Sequence, residues 1–413
     1  MNTDSVAIAE NIPRTSVRIP PRIVLVAHVL VTGPVQELHR FLLDKCTELL
    51  TITHPLQPFT PVGDHCSSFE KNLNGSPGAV CSSNQWKLPA GPFWEMTHFL
   101  RHAVLTFWWG WTQGRGYDLF IGINPLNAFV GLWLKRFGCV RKVVYYTIDY
   151  IPKRFSNSWV NQFYHWIDKT CVRRCDQVWN LSSRMVGARE ARGVEKRFRQ
   201  KQMTVPIGTD LRIQPLPVEK VERFTFVYFG GLMEKQGVQL GIEALAILRK
   251  RLPKVRLLVI GGGSPERLEV LRQQARSLAV SEAVTFTGVI ENHEEALERL
   301  SSCAAGIAPY TESPDNFTQY TDPGKPKAYL AAGLPVVLTD VPEVASLIEA
   351  SKAGFIVSYD SHSLAQALEQ LMTDDRLFAA YKDNARKLAE RYDWALVFYN
   401  AFGHLYNGRF FHG

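Results

Sequence analysis

The stretch from Tyr320 to Thr339, YTDPGKPKAYLAAGLPVVLT, decides the fold prediction. Pro323 and Gly324 are typical of a turn that opens a helix, and an apolar run follows that helix at once as a buried strand. A helix start presents free backbone N–H groups and the positive end of the helix dipole, and Lys325 adds a full charge there. The stretch therefore predicts an α/β fold with an anion, such as a phosphate, bound at this helix.

Around this stretch, strand-like apolar runs alternate with helical patterns along the chain. A first series of predicted strands comprises Arg22–Val31, Tyr117–Asn124, Arg141–Ile148, Asp176–Leu181 and Thr204–Gly208. A second series comprises Phe224–Gly230, Val255–Ile260, Ala283–Thr287, Gly306–Pro309, Pro335–Thr339 and Phe355–Ser358. Such alternation indicates βαβ units on parallel sheets, so the sequence predicts two doubly wound, Rossmann-like domains.

The predicted domain limits follow from local composition. Thr209–Arg223 is polar and is interrupted by two prolines, which is typical of a link between domains. We therefore predict a first domain over 1–208, a second over 209–391 and a final aromatic-rich segment over 392–413. Ligands of doubly wound sheets bind beyond the carboxyl ends of the strands, so two facing sheets would place a ligand cleft between the domains.

The composition favours an anionic partner. The chain has 413 residues, of which 46% are hydrophobic, and 47 basic against 39 acidic residues give a net charge of +8. This excess favours nucleotide diphosphates, acidic lipid surfaces or nucleic acid, and it does not choose among them. The apolar runs are shorter than the ~18 residues that span a bilayer. Seven cysteines without a Cys-x-x-Cys pair favour reduced thiols, so we expect a cytoplasmic protein.

The Tyr320–Thr339 stretch resembles the nucleotide-sugar site of retaining GT-B glycosyltransferases of family 4. The resemblance implies that Gly324 and Lys325 face the donor diphosphate, and that position 328 holds the donor ribose, usually with a glutamate. This chain has Ala328 there, which raises the hypothesis of a natural or engineered Glu-to-Ala replacement. Some branches of the family carry the same Thr-Asp-Pro-Gly-Lys run, so Asp322 is a candidate for part of the sugar recognition.

A second motif, FVYFGGLMEKQG over Phe226–Gly237, places paired glycines after a strand. Gly230 and Gly231 would let the backbone approach a phosphate closely, and Lys235 would neutralise its charge. The motif resembles a family pattern in which the position of Gly231 is commonly an arginine. An ordinary strand-to-helix turn with a solvated Lys235 is the alternative.

Two further turns of the second domain resemble donor-site loops. Gly262 lies in a triple-glycine turn that resembles the one after the second strand of the family's donor domain, although a tight reversal would need the same residues. The backbone groups of Val289 and Ile290 lie in a loop that resembles the one on which family members rest the nucleotide base. Both turns extend the predicted donor site.

The first domain contributes two candidates. Gly33 resembles the glycine turn that lets an acceptor and the donor phosphates approach the sheet, the alternative being a helix capped by Thr32 with Pro34 at its start. Asp149 ends a buried strand and would hold acceptor hydroxyls or stabilise positive charge on the sugar. Otherwise Asp149 caps the loop before the predicted helix Trp159–Arg174.

Retaining transfer from a phosphate leaving group does not require two carboxylates flanking the bond, because cations and helix starts can stabilise the departing diphosphate. Asp149, Lys235 and Lys325 are therefore the catalytic candidates. No Asp-x-Asp stands at a strand end, the histidines show no ligand spacing, and His28 fits a satisfied core residue. We expect a metal-independent reaction without a cofactor, with a UDP- or GDP-sugar as the donor substrate.

The resulting prediction is a retaining hexosyltransferase that acts on a cell-envelope glycan or lipid-linked acceptor at the inner face of the membrane. The aromatic segment Phe93–Trp111 fits either contact with a membrane surface or a core-packed helix. Ala328 and Gly231 leave a second class open, a catalytically weak glycosyltransferase-like protein that binds a nucleotide or a glycan. Nucleic acid is not expected as a partner because the basic residues are dispersed and no recognition motif occurs.

Overall fold

The computed structural model describes residues 17–28, 33–55, 66–83, 92–155, 157–212, 214–313 and 316–407. The chain divides into two compact units, one of residues 1–206 with 395–413 and the other of residues 207–394. These limits lie a few residues from the predicted ones, because the backbone N–H groups of Ile207 and Thr209 donate to residues of the second unit.

The first unit is built on a sheet whose described strands follow the order β4-β3-β2-β1-β5-β6-β7-β8. The strands are β1 Arg22–Ala27, β2 Glu48–Thr53, β3 Ser67–Leu73, β4 Ser76–Ser83, β5 Tyr117–Ile123, β6 Val140–Thr147, β7 Gln177–Asn180 and β8 Gln202–Thr204. The pairs β2–β3 and β3–β4 are antiparallel, and the other pairs are parallel. The helices are α1 Pro34–Leu43, α2 Pro92–Gln113, α3 Asn124–Arg136, α4 Ser158–Arg174 and α5 Arg184–Ala191.

The second unit has a fully parallel sheet in the order β11-β10-β9-β12-β13-β14. Its strands are β9 Glu222–Phe229, β10 Arg256–Ile260, β11 Val284–Gly288, β12 Cys303–Ala308, β13 Val336–Thr339 and β14 Gly354–Val357. Its helices are α6 Val238–Leu248, α7 Pro265–Ser277, α8 His293–Ser301, α9 Gly324–Ala331, α10 Val344–Ala350, α11 Ser361–Thr373 and α12 Asp375–Glu390. The strand order reverses between β9 and β12, where doubly wound sheets bind ligands.

The last helix, α13 Trp394–Asn407, packs in the first unit. The ring of Phe402 lies 5.3 Å from that of Trp179 in β7 and 6.2 Å from that of Phe41 in α1, measured between centroids. The Nζ atom of Lys142 lies 4.5 Å from the ring centroid of Tyr406. The first unit therefore combines the beginning and the end of the described chain.

A buried ion pair ties the helices of the first unit to its sheet. Arg189 of α5 is fully buried, and its Nη2 lies 2.8 Å from the Oδ1 of Asp168 in α4. Arg189 also donates to the side-chain oxygens of Asn180 and Thr147 at 2.6 and 2.7 Å. The Tyr145 hydroxyl donates to Asp168 at 2.6 Å. These bonds satisfy a charge pair that burial would otherwise make costly.

Within the described residues, none of the helices combines the length and the apolar character that crossing a membrane requires. The helix α2, which contains the aromatic segment Phe93–Trp111 singled out in the sequence, has both buried and exposed side chains among its described residues. Trp109 is 5% exposed and Trp108 is 60% exposed. The segment therefore packs against the core on one face, while Trp108 on another face is exposed.

Candidate functional site

Three glycine turns lie side by side at the carboxyl ends of β9, β10 and β11. The N–H of Gly230 donates to the Ile260 carbonyl, and the N–H of Gly261 donates to the Gly288 carbonyl, both at 2.8 Å. The φ angles of Gly230, Gly261 and Gly288 are 125°, 144° and 78°. A Cβ at Gly261 would lie 1.9 Å from the carbonyl oxygen of Gly230, so a larger residue would separate the two strand ends.

The loop after β11 carries Val289 and Ile290, the candidates for supporting a base. A Cβ at Gly262 would lie 2.8 Å from the Cγ2 of Val289, so the glycine makes room for that side chain. Val289 is 69% exposed, whereas Ile290 packs against the apolar core of the second unit. This arrangement leaves an exposed apolar surface beside the glycine turns.

The helix α9 begins at Gly324 after Pro323, which confirms the predicted helix start. Its first-turn residue Lys325 is buried, and its Nζ lies 3.8 Å from the ring centroid of Tyr228 and 5.1 Å from that of Tyr310. Tyr228 belongs to β9, and Tyr310 follows β12. The ammonium therefore lies where the strand order of the sheet reverses.

Among the described residues, no carboxylate compensates the charge of Lys325. Burial lowers the pKa of Lys325 well below its usual value. The Nζ of Lys325 donates to the amide Oε1 of Gln236 at 3.4 Å. In the described part of the chain, no carboxylate forms an ion pair with Lys325. The buried hydroxyl of Tyr310 also has no hydrogen-bond partner among the described residues. Both groups would gain from a bound anion, which restores the charge of the lysine and accepts its hydrogen bonds.

Lys327, two residues further along α9, is held very differently. Its Nζ lies 2.9 Å from the Oδ2 of Asp322 and 3.4 Å from the ring centroid of Tyr392. The same Oδ2 of Asp322 accepts the backbone N–H of Ile207 at 2.7 Å. Burial raises the pKa of Asp322 and lowers that of Lys327, while each charge opposes the shift of the other. The predicted sugar contact of Asp322 would compete with these internal bonds.

The two positions that depart from the family pattern flank Lys325. Ala328 lies one turn further along α9, on the same side of the helix, and is 8% exposed. Gly231 is exposed, and a Cβ there would find its nearest atom, the Met233 Cε, at 3.9 Å. The Tyr228 hydroxyl donates to the Gly231 carbonyl at 2.6 Å. The Gly231 carbonyl is therefore held by Tyr228, while the position of a Cβ at this residue is open.

Lys235, in the short 3-10 helix Glu234–Gln236, is positioned through its backbone. Its carbonyl accepts the N–H of Thr311 at 3.2 Å, which connects this helix to the segment after β12. The next residue but one, Gly237, has φ 78°, and a Cβ there would lie 1.7 Å from the Pro309 carbonyl oxygen. These close backbone contacts fix the position of the Lys235 main chain, from which its half-buried side chain extends.

A family model described as "Glycosyl transferases group 1" matches residues 223–374. This segment contains the glycine turns, Lys235 and the whole of α9. Over these residues, the second unit is similar to the group 1 glycosyltransferases. All the candidate site residues of the second unit lie within this matched segment.

Curated relatives of the chain match at moderate identity. The phosphatidyl-myo-inositol mannosyltransferase of Mycolicibacterium smegmatis is 28% identical over 175 residues, which is 42% of each chain. The putative colanic acid biosynthesis glycosyltransferase WcaL of Escherichia coli is 26% identical over 270 residues, 62% of this chain and 63% of that protein. The matches thus span less than two thirds of these relatives.

Solved structures extend the similarity to both units. The sucrose-phosphate synthase of Thermosynechococcus elongatus has a TM-score of 0.67 at 17% identity, covering 94% of this chain and 98% of the other. Anabaena Alr3699/HepE in complex with UDP has a TM-score of 0.66 at 16% identity, covering 94% and 100%. These similarities show the GT-B fold that the sequence predicted.

The first-unit candidates lie at strand ends of their own sheet. Gly33, with φ 131°, precedes α1, whose first residue is Pro34. The alternative cap, Thr32, lies outside the described residues. Asp149 follows β6 and is 44% exposed, and one of its carboxylate oxygens lies 3.8 Å from the Nη1 of Arg154. Asn157, and not Asp149, caps α4 through its side chain.

The structure also brings together three histidines of the first unit, one of which is His28, the residue expected to lie in the core. Ring centroids lie 5.7 Å apart for His28 and His54, 5.5 Å for His28 and His102, and 4.6 Å for His54 and His102. The Nε2 of His28 and both ring nitrogens of His102 have no hydrogen-bond partner among the described residues. Burial lowers the pKa of His28 to about 4 and that of His102 to about 3.

This histidine cluster, defined as His28, His54 and His102, is not arranged as a metal site. Within the described residues, no group of three or more His, Cys, Asp or Glu side chains has a geometry that would hold a metal ion. His54 instead bonds Thr106 at 2.7 Å and Ser67 at 3.0 Å, and its ring stacks on that of His102. The rings pack as neutral aromatic groups at the ends of β1 and β2.

Sequence reasoning did not single out Tyr228, Tyr310 or Gln236, which surround Lys325. Tyr228 was visible as an aromatic residue before the glycine pair, but strand aromatics are common in cores. The proximity of Tyr228 to Tyr310 depends on β9 and β12 being neighbours. Sequence alone gave no signal for that pairing.

Proposed function

We propose that the protein is a retaining, metal-independent glycosyltransferase that moves a hexosyl group from a UDP- or GDP-sugar to a cell-envelope glycan or glycolipid acceptor. The observation that carries this proposal is the buried side-chain amine of Lys325, which lies at the start of α9 and lacks a carboxylate partner among the described residues. A diphosphate supplies the negative charge that this position lacks.

The chemical role of Lys325 in this proposal is to stabilise the leaving group. The bond between the anomeric carbon and the diphosphate oxygen breaks, and negative charge grows on that oxygen. Lys325 and the first backbone N–H groups of α9 neutralise this charge without reorganising, which is the most effective form of electrostatic stabilisation. The acceptor oxygen bonds to the anomeric carbon on the same face, and the acceptor proton passes to the departing diphosphate.

The remaining candidates are assigned supporting roles. The turns at Gly230, Gly231 and Gly262 would admit the diphosphate close to the backbone, with Lys235 as a second cation. The backbone at Val289 and Ile290 would support the base. In the first unit, Gly33 would give space for the acceptor, and Asp149 would hold acceptor hydroxyls or stabilise positive charge on the sugar.

The comparisons support these substrate classes without assigning them. A solved relative of the same fold, Alr3699/HepE, is in complex with UDP-glucose, and WcaL is named for colanic acid biosynthesis. The mannosyltransferase relative is named for phosphatidyl-myo-inositol, a lipid. We propose by extension that this chain works in the cytoplasm at the inner face of the membrane, with a nucleotide-sugar and a glycan or lipid-linked acceptor as its partners.

Two residues support a second candidate function, a binding protein with weak catalytic activity. Ala328 and Gly231 stand where the resemblance places a ribose-binding glutamate and a diphosphate-binding arginine. Loss of one charge-assisted acceptor removes about 1.5–3 kcal/mol of binding free energy. A protein that lacks both groups would bind a nucleotide or a glycan with little turnover.

Calorimetric titration of UDP, GDP and ADP against the native chain and against Ala328→Glu tests the proposal. We expect one nucleotide to bind and to bind at least tenfold more tightly to the variant. Transfer from the matching nucleotide-sugar would then exclude the weak binding protein. If neither form binds any of the three nucleotides, the glycosyltransferase proposal fails.

A further inference from the structure

Aromatic rings from three helices of the first unit form one continuous band. The aromatic band consists, in spatial order, of Trp111 and Phe107 on α2, Phe137 just after α3, Trp133 and Phe129 on α3, and Trp166 and Phe163 on α4. Successive ring centroids in that order lie 6.0, 5.8, 6.4, 6.5, 5.8 and 5.7 Å apart. Contacts of this length join the rings into a single surface.

Much of this surface faces solvent. Trp133, Phe137 and Trp166 are each more than half exposed, at 51%, 54% and 53%. Trp108, beside the band on α2, is 60% exposed, and Trp159, near the start of α4, is 81% exposed. Single exposed apolar residues are ordinary, but a contiguous patch of large aromatic side chains marks an interaction surface.

The band contains a groove between α2 and α3. Its volume is about 410 Å³, and its lining is entirely apolar. Val104 and Trp108 form one wall, and Trp133 and Phe137 form the other. A groove of this size and character can accept a hydrocarbon chain.

Basic residues outnumber acidic ones at the carboxyl ends of α3 and α4, where Lys135 pairs with Asp176 and Arg173 with Glu195. The helices α3 and α4 carry a single acidic residue, Asp168, which is buried and paired with Arg189. Arg136 at the end of α3 and Arg174 at the end of α4 are exposed, and the guanidinium of Arg115 lies 4.5 Å from the Trp111 ring. Helices antiparallel to the strands end at one edge of the sheet, so these cations border the band on one side.

We propose that the aromatic band docks on an anionic lipid bilayer, with the groove receiving lipid hydrocarbon and the basic helix ends meeting the headgroups. Tryptophan and phenylalanine bury well at the membrane interface, and basic residues near an anionic surface add electrostatic attraction. A second copy of the chain is disfavoured as the occupant because a two-fold contact would bring Arg136 and Arg174 against like charges. This inference deepens the proposed function, since a transferase for lipid-linked acceptors works at such a surface.

Cosedimentation of the full chain with vesicles tests the docking surface. We expect binding to vesicles of phosphatidylcholine with phosphatidylglycerol, and at least tenfold weaker binding to phosphatidylcholine alone or at high salt. The double variant Trp108→Ser/Trp133→Ser should weaken binding at least tenfold. The control Val270→Ser/Leu278→Ser removes exposed apolar side chains from the second unit and should bind like the native chain.

The charge contribution is tested separately with Arg136→Glu/Arg174→Glu. This variant should lose the preference for anionic vesicles, whereas the control Arg256→Glu/Arg272→Glu, at exposed sites of the second unit, should keep it. Equal vesicle binding by the tryptophan variant and the native chain would overturn the proposal. So would a dimer in light scattering that the tryptophan variant converts to a monomer, without vesicle binding by either form.

Titration of UDP, GDP and ADP against each variant separates this proposal from the proposed function. Vesicle binding without any nucleotide binding would leave the docking surface standing and remove the transferase. Nucleotide binding without vesicle binding would remove the docking surface and leave the transferase proposal in place.

Discussion

The Nζ of Lys325 lies 3.8 Å above the ring of Tyr228, whose hydroxyl donates to the Gly231 carbonyl at 2.6 Å. One aromatic side chain thus holds both the lysine of α9 and the glycine turn after β9. The ring face partly compensates the buried ammonium, but a cation–π contact is worth only about 0.5–2 kcal/mol. Among the described residues, no carboxylate adds to this compensation, so a bound anion would stabilise the charged lysine.

Replacing this lysine should separate binding from stability. We expect Lys325→Met to raise the urea midpoint of the second unit, because it removes a buried amine that burial disfavours in the charged state. The same change should weaken nucleoside diphosphate binding at least tenfold, or about 1.4 kcal/mol. Urea unfolding and calorimetry measure the two effects.

Lys327→Met is the matched control for that experiment. It breaks the buried pair with Asp322 and should destabilise the unit by about 3–5 kcal/mol, because it leaves a buried carboxylate without its partner. If both variants lower stability equally, Lys325 has a structural role and not the proposed one.

Nucleotide binding should take up protons. Since burial lowers the pKa of Lys325 well below its usual value, an adjacent diphosphate will raise it and draw a proton from solution. Calorimetry in two buffers of different ionisation enthalpy measures the uptake. The uptake should rise with pH as the free lysine deprotonates, and it should vanish in Lys325→Met.

An arginine at position 231 should fit and should improve binding. Gly231 lacks a positive φ, and a Cβ there meets nothing closer than 3.9 Å. We expect Gly231→Arg to tighten UDP or GDP binding roughly tenfold or more, in line with one charge-assisted hydrogen bond. By contrast, Gly230→Ala should weaken binding, because φ is 125° and the new Cβ would lie 3.3 Å from the Lys325 Cε. An unchanged affinity in Gly231→Arg would argue against a diphosphate at this turn.

Breaking the buried ion pair of the first unit should be costly. Arg189→Met leaves Asp168 buried without its partner, so we expect a loss of about 3–5 kcal/mol of unfolding free energy. Arg197→Met, at an exposed site, is the control. The double variant Arg189→Met/Asp168→Leu should recover much of the loss. Hydrogen exchange of β6 and β7 locates the effect, and a double variant as unstable as the single one would contradict this account.

The histidine cluster should make the first unit sensitive to acid. The folded pKa values of His28 and His102, about 4 and about 3, lie below the unfolded value, so the unfolded chain binds more protons. Stability should therefore fall as the pH drops from about 6.5 towards 3. The amides of β1 and β2 should lose exchange protection across this range.

His102→Phe tests the source of this acid sensitivity. The variant should flatten the dependence on pH, because phenylalanine keeps the ring packing without a titrating nitrogen. His362→Gln, at an exposed position of the second unit, should leave the dependence as it is. If the unfolding free energy of His102→Phe changes with pH as steeply as that of the native chain, the acid sensitivity has another source.

The sequence predicted the parallel strands well because their local signals agree. In α9, a proline, a glycine and a lysine precede an apolar run, and each favours the same helix start. The pair β3 and β4 was missed, although Asn74-Gly75, with φ 49° and 76°, is a strong hairpin signal. β2 was also missed, although Pro55 follows its short run Glu48–Thr53 after one residue.

The candidate site was predicted only where one segment supplies it. Gly324 and Lys325 follow each other, so their joint role is visible in the sequence. The ring of Tyr228 comes from another strand, and the histidine cluster combines the ends of β1 and β2 with α2. Such contacts depend on strand order and helix rotation, which local patterns do not encode.

The return of α13 to the first unit has a consequence for biosynthesis. A ribosome finishes β1 to β8 well before it makes the helix that contacts Phe41 and Trp179. The nascent first unit must therefore wait, with those rings exposed, while the second unit is translated and can fold. A stop codon before α13 would leave the first unit without this helix, and a chaperone that acts during the interval would bind the exposed rings of the first unit.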